Sequence, residues 1–160
     1  MTAHDEIMRA NDAFAEQFAQ GALPAPPARR FALVTCMDAR LDPAKFLGLD
    51  DGDAHVIRNA GGLATDDALR SLALSHWLLG TREAFVIAHT GCGMLSFTNE
   101  ALRERLPPAV RDVDFLPFAD LDESVRSSVR RVRESPLLPD DFAVTGLVYD
   151  TAHGRLREVS

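Results

Sequence analysis

The stretch Phe85-Val86-Ile87-Ala88-His89-Thr90-Gly91-Cys92-Gly93 runs apolar up to a histidine and reaches a cysteine three positions later. A side chain at the end of a buried strand and another on the glycine-loosened loop behind it can turn toward one point. Two ligands of a single metal must do the same. The other cysteine, Cys36, closes a second apolar run, Phe31-Ala32-Leu33-Val34-Thr35-Cys36. Taken singly, either cysteine reads as a buried, inert thiol. Together they place Cys, His and Cys at strand ends.

The run from Arg30 to Cys36 is too continuously apolar for a half-exposed strand and belongs inside a parallel sheet. If Cys36 and His89 hold one ion, their strands lie side by side. The short strand His55-Val56-Ile57-Arg58 is then pushed to the outer flank of the first. That order, 2-1-3-4, makes a switch point at the carboxyl ends, where open α/β sheets carry their ligands. Phe142 to Asp150 and Arg155 to Val159, joined by Thr151-Ala152-His153-Gly154, read as a hairpin, so the sheet finishes antiparallel. The expected fold class is α/β, with a mainly parallel central sheet, helices on both faces and an extended N-terminal helix.

That N-terminal helix is read from His4 to Gln20, with Ile7, Met8, Asn11, Phe14 and Phe18 near one face and Pro24, Pro26 and Pro27 behind it. Its phenylalanines need a partner surface, on this chain or on a neighbouring subunit. Asp42-Pro43 starts a short helix that Gly48 ends. Asn59-Ala60-Gly61-Gly62 is either a close backbone approach or a plain tight turn. Thr65 caps a helix whose buried stripe is read as Leu69, Leu72, Ala73, His76 and Leu79, with His76 a packing residue beside Trp77 and Gly80 the stop. Thr98 to Arg105 forms a short helix, Arg111 to Phe118 is ambiguous, and Asp120-Leu121-Asp122-Glu123 caps a helix through Val125, Val129 and Val132. The chain reads as a single domain, residues 1–160, made of a helix and proline-rich arm (1–28) and an α/β core (29–160).

At 160 residues and 46% hydrophobic, the chain can bury a substantial core. A net charge of -7, from 24 acidic against 17 basic residues, repels a phosphate backbone, so nucleic acid is not an expected partner. The first residues do not resemble a signal peptide, and no apolar run is long enough for a bilayer, so no membrane partner and a cytoplasmic location are expected. In a reducing compartment two cysteines are free thiols or ligands rather than a disulfide.

Two thiolates and an imidazole suit zinc, and three protein ligands leave a tetrahedral ion one open position. His4, His55, His76 and His153 belong to no ligand cluster, so the site is read as open or closed by a carboxylate. In Cys36-Met37-Asp38-Ala39-Arg40, Asp38 and Arg40 are spaced to pair beside the metal. Without Cys36 and His89 the same pair would be a surface salt bridge on a turn. Phosphatase spacing, C-x-x-C, G-x-G-x-x-G and the P-loop are all absent.

Cys36-Met37-Asp38-Ala39-Arg40-Leu41, Arg58-Asn59-Ala60-Gly61-Gly62 and His89-Thr90-Gly91-Cys92-Gly93 together resemble the β-class carbonic anhydrases, in particular their short prokaryotic branch. The resemblance runs from about Arg30 to the final hairpin. It implies one zinc per chain on Cys36, His89 and Cys92, with Asp38 and Arg40 as the family's catalytic dyad and Asp38 able to close the site as a fourth ligand. It implies reversible hydration of carbon dioxide to bicarbonate by a zinc-bound hydroxide. It also implies a homodimer or dimer of dimers, with the N-terminal helix over the partner. Ala39 and Ala88 depart from the serine and glycine that many members carry. Relatives with the same ligands hydrolyse carbon disulfide or carbonyl sulfide, and a zinc-stabilised bicarbonate-binding domain without turnover is the alternative from another class.

Overall fold

The computed structural model describes residues 1–110 and 112–159. In chain order the elements are α1 (Ala3–Ala15), β1 (Phe31–Cys36), α2 (Pro43–Leu47), β2 (His55–Asn59), α3 (Asp66–Trp77), β3 (Glu83–His89), α4 (Asn99–Arg103), α5 (Leu121–Arg133), β4 (Ala143–Asp150) and β5 (Arg155–Val159). Arg111 lies outside the described residues, and Val113 to Phe118 carries neither helix nor strand.

One sheet has the order β2-β1-β3-β4-β5, parallel from β2 through β4 and antiparallel between β4 and β5. The expected order holds, and the hairpin adds the fifth strand. Every residue of β1 is buried, because side chains alternate between two covered faces. Ala32 and Val34 join Ala84, Val86 and Ala88 of β3 in a core with Leu69 and Leu72 of α3 and Val125, Val129 and Val132 of α5. Phe31, Leu33 and Ile87 point the other way, toward Phe46 and Leu47 of α2. Helices therefore lie on both faces, but unequally: α3 and α5 share one, and the short α2 packs on the other together with Leu49 and Ala54.

Local signals were legible. Asp42, Thr65, Thr98 and Asp120 each accept a hydrogen bond from a first-turn backbone N–H, and Gly48 ends α2 in the left-handed region. Two readings shift. Helix α1 stops at Ala15 rather than Gln20, and the chain continues in turns, Gln17 N–H to Phe14 O and Phe18 N–H to Ala15 O. None of its residues is buried, so no packing holds the last turn in α geometry. On α3 the buried residues are Ala68, Leu69, Leu72 and Ser75, and Ala73, His76 and Leu79 are only half-buried. The stripe rotates because Ser75 is drawn inward, its hydroxyl 2.7 Å from His55 Nδ1 and donating to Thr81 Oγ1 at 2.9 Å. His76 packs edge-on to Trp77 and Phe142 with Nδ1 2.7 Å from Thr81 O, as a packing residue should.

The glycine pair resolves as a close approach within the chain itself. Gly61 and Gly62 have φ of 86° and 67°, and a Cβ on Gly62 would lie 2.9 Å from both Cys36 N and Thr35 C. The loop after β2 thus rests directly on the end of β1. Gly62→Ala is expected to destabilise the fold by roughly 2–3 kcal/mol, since backbone must move and φ is unfavourable for a Cβ. A urea midpoint equal to the parent's would contradict this.

Candidate metal centre

The carboxyl ends of β1 and β3 deliver Cys36 and His89, and a turn through Gly91 at φ 63° brings back Cys92. One ligand atom from each lies within 4.8 Å of the other two, and the sulfurs are 3.9 Å apart. All three residues are buried. The adjacency of β1 and β3 that a shared ion demanded is what the sheet provides.

His89 Nδ1 lies 3.0 Å from the Thr90 carbonyl oxygen. A carbonyl only accepts, so Nδ1 carries the ring proton and Nε2 presents its lone pair. That Nε2 is buried and has no hydrogen-bond partner. Asp38 Oδ2, also an acceptor, stands 3.7 Å from it. Two acceptors and two thiols thus face one point, a donor set that a cation would satisfy, and an orphaned buried acceptor otherwise costs about 1–3 kcal/mol. Burial lowers the His89 pKa, keeping the ring neutral and ligand-competent. Burial, reinforced by the charge of Cys36 alongside, pushes the Cys92 thiol up to about 11, so without a metal it stays protonated. The donor set of two sulfurs and a neutral imidazole fits zinc.

Asp38 and Arg40 stand beside this trio rather than within it. Arg40 donates to Asp38 Oδ1 from its backbone N–H and Nε, each at 2.9 Å, and to Oδ2 from Nη2 at 2.7 Å. These bonds hold the Asp38 carboxyl well below the usual carboxylate range. Arg40 Nη2 also donates to Gly91 O at 2.9 Å, tying the loop of Asp38 to the loop of Cys92. Arg58, which the sequence offered only as part of a motif, donates from Nε to Cys36 O at 2.9 Å and from Nη2 to Asp38 O at 2.7 Å. Such side chain to carbonyl bonds leave no periodic trace in a sequence. Around the thiols, Leu41 and Met94 are buried with Phe46, Phe97, Phe118 and Tyr149 packed against them, a largely apolar wall that sequence reading left open.

A family model described as carbonic anhydrase matches residues 31–114, a stretch that contains every residue of the trio and the dyad. Beta-carbonic anhydrase 1 of Mycobacterium tuberculosis is 42% identical, with 100% of this chain and 99% of the relative aligned. A carbon disulfide hydrolase of an Acidianus species is 38% identical over 83% of this chain and 78% of its own length. The crystal structure of a carbonic anhydrase from Streptococcus mutans superimposes with a TM-score of 0.94 at 46% identity, covering 100% of this chain and 99% of that one. Likeness of that extent, in sequence from end to end and in the sheet that carries Cys36 and His89, decides the question of kinship: the chain belongs to the β-carbonic anhydrase family.

Proposed function

We propose that this chain is a zinc enzyme interconverting carbon dioxide and bicarbonate, with one zinc held by Cys36, His89 and Cys92 and with Asp38 and Arg40 as the working dyad. The observation that carries the reading is the buried, partnerless Nε2 of His89 facing both thiols and Asp38 Oδ2. Zinc bound there supplies a Lewis acid that makes water nucleophilic near neutral pH.

The chain's own residues do the rest. Asp38 Oδ2 takes one hydrogen bond from Arg40 and keeps a lone pair for the attacking water, whose orientation it sets. Arg40 keeps that carboxylate ionised and aimed, and is itself held by Gly91 O. Asp38 could serve as a fourth ligand only if Arg40 released it, since Arg40 bonds both of its oxygens. Leu41, Met94 and the surrounding aromatic rings exclude bulk water and suit a small apolar substrate.

The chain is further proposed to work as one domain, in the cytoplasm, as a homodimer or dimer of dimers. Ile7, Met8, Phe14 and Phe18 are all exposed, which supports a second copy under α1. Among the described residues no helix is long and apolar enough to cross a membrane.

Stopped-flow carbon dioxide hydration by metal-quantified protein, from about pH 7 to about pH 9, tests the reading. Turnover rising with pH at one zinc per chain is expected. Full zinc without turnover at any pH would overturn it, and carbon disulfide and carbonyl sulfide, the former the substrate named for the Acidianus relative, would be assayed next.

A further inference from the structure

The turn between β4 and β5 reaches the His89 ring through the Thr90 carbonyl. Thr90 O accepts from His89 Nδ1 at 3.0 Å and from the Thr151 hydroxyl at 3.2 Å. In return the Thr151 backbone N–H donates to Thr90 Oγ1 at 3.0 Å, and the two hydroxyl oxygens lie 3.1 Å apart. Thr90 N–H donates to Tyr149 O at 2.9 Å, and Thr90 Oγ1 reaches Asp150 Oδ1 at 3.5 Å. Thr90 is thus gripped by residues some 61 positions away in sequence.

We propose that Thr151 is a positioning residue of the zinc site: its hydroxyl pins the Thr90 carbonyl against His89 Nδ1 and so keeps Nε2 aimed at the metal. This rests on the reading of His89 as a ligand. The carbonyl in question belongs to the peptide between Thr90 and Gly91, and Gly91 sits at φ 63°. Glycine is the residue least able to hold a peptide plane by its own sterics, so this unit is the easiest in the loop to turn. Were it to turn, the Nδ1 proton would lose its acceptor inside a buried site. The ring would then rotate, or move its proton to Nε2 and lose the lone pair that binds zinc. The Thr151 hydroxyl occupies the carbonyl's second acceptor direction and opposes that turn. His89 is fully buried, and among the described residues Thr90 O is the hydrogen-bond partner of its ring, so that carbonyl sets the position of the Nδ1 proton.

The test uses the zinc-loaded full chain with Thr151→Val, which keeps the branched shape and removes the hydroxyl, and Thr151→Ser, which restores it. Zinc release into excess chelator is expected to be about ten-fold faster in Thr151→Val, the lower end of what losing a ligand's outer hydrogen-bond partner costs, because Thr151 acts through that partner, Thr90 O, rather than on the ring. The His89 Nδ1 proton resonance is expected to shift and to exchange faster with solvent. Thr151→Ser should return both to parental values. Thr151→Ala is read in the same way should valine fail to fold. A parental release rate with an unmoved Nδ1 proton overturns the proposal. So does faster release that leaves the Nδ1 proton unmoved, or that serine fails to rescue, because the hairpin would then be a staple and no more. His89→Ala separates the two readings: if it holds zinc as tightly as the parent, the metal assignment itself has failed.

Discussion

Cys92→Ser protein is expected to purify with almost no zinc, where the parent carries about one per chain. A serine hydroxyl does not ionise near neutral pH, so the substitution removes a ligand rather than weakening it. Thiolate and imidazole sets bind zinc with about 10–16 kcal/mol. Losing roughly a third of that lowers affinity by about 10²–10⁴-fold. The fold should survive, because Cys92 lies in a loop and serine is close to it in size. The same residue gives the parent a pH signature. With its thiol pushed up to about 11, Cys92 must surrender a proton when zinc arrives. Below that pKa, raising the pH removes the competing proton, so affinity climbs by at least about ten-fold per pH unit across the range from about pH 6 to pH 9. In Cys92→Ser that contribution disappears and the slope falls by about one. Competition with a chromophoric chelator at three pH values measures both quantities. A serine variant with parental zinc content, or with an unchanged slope, would contradict the assignment.

What the sequence disclosed about this chain divides along physical lines. Cys36 and His89 were legible because each closes a largely apolar run, and the assumption of one shared ion then required β1 beside β3. Caps such as Asp42, Thr65 and Asp120 were legible because the hydrogen bond spans only three residues. The length of α1 was not, since none of its residues is buried and packing therefore does not set its end. The inward turn of Ser75 on α3 depended on Thr81 and His55, which no helical period reports. Arg58, Gly91 and Thr151 belong to the same class. Their contacts with Cys36, Arg40 and Thr90 span 22, 51 and 61 positions, and each runs through a backbone carbonyl that every residue type possesses. The members of the convergent trio can thus be read from residue identity, whereas the atoms that orient them are fixed only once the sheet has brought its strand ends together.

The second large effect concerns chemistry without metal loss. Asp38→Ala is expected to retain parental zinc, because the convergent trio does not include it, and to lose about 100- to 1000-fold in kcat/KM. That corresponds to roughly 2.7–4 kcal/mol of lost transition-state stabilisation. The fall should appear in kcat rather than KM, since a carboxylate that orients water makes no contact with ground-state carbon dioxide. Asp38→Asn sharpens the test. The amide keeps the size of the side chain and can still accept from Arg40, but it lacks the charge and one acceptor oxygen. Comparable losses in both variants would assign the effect to the ionised carboxylate, whereas full activity in Asp38→Asn would reduce Asp38 to a spacer. The direction of its pKa adds a constraint on the pH profile. Arg40 holds the carboxyl well below the ordinary range, so Asp38 is ionised throughout the span from about pH 5 to pH 9. Any loss of parental activity between about pH 8 and pH 6 therefore cannot come from protonating Asp38. If that loss arises instead from Asp38 leaving Arg40 to close the site, the residual activity of Asp38→Ala should show a shallower acid limb than the parent. An identical limb in both proteins would show that Asp38 stays with Arg40 across the whole range.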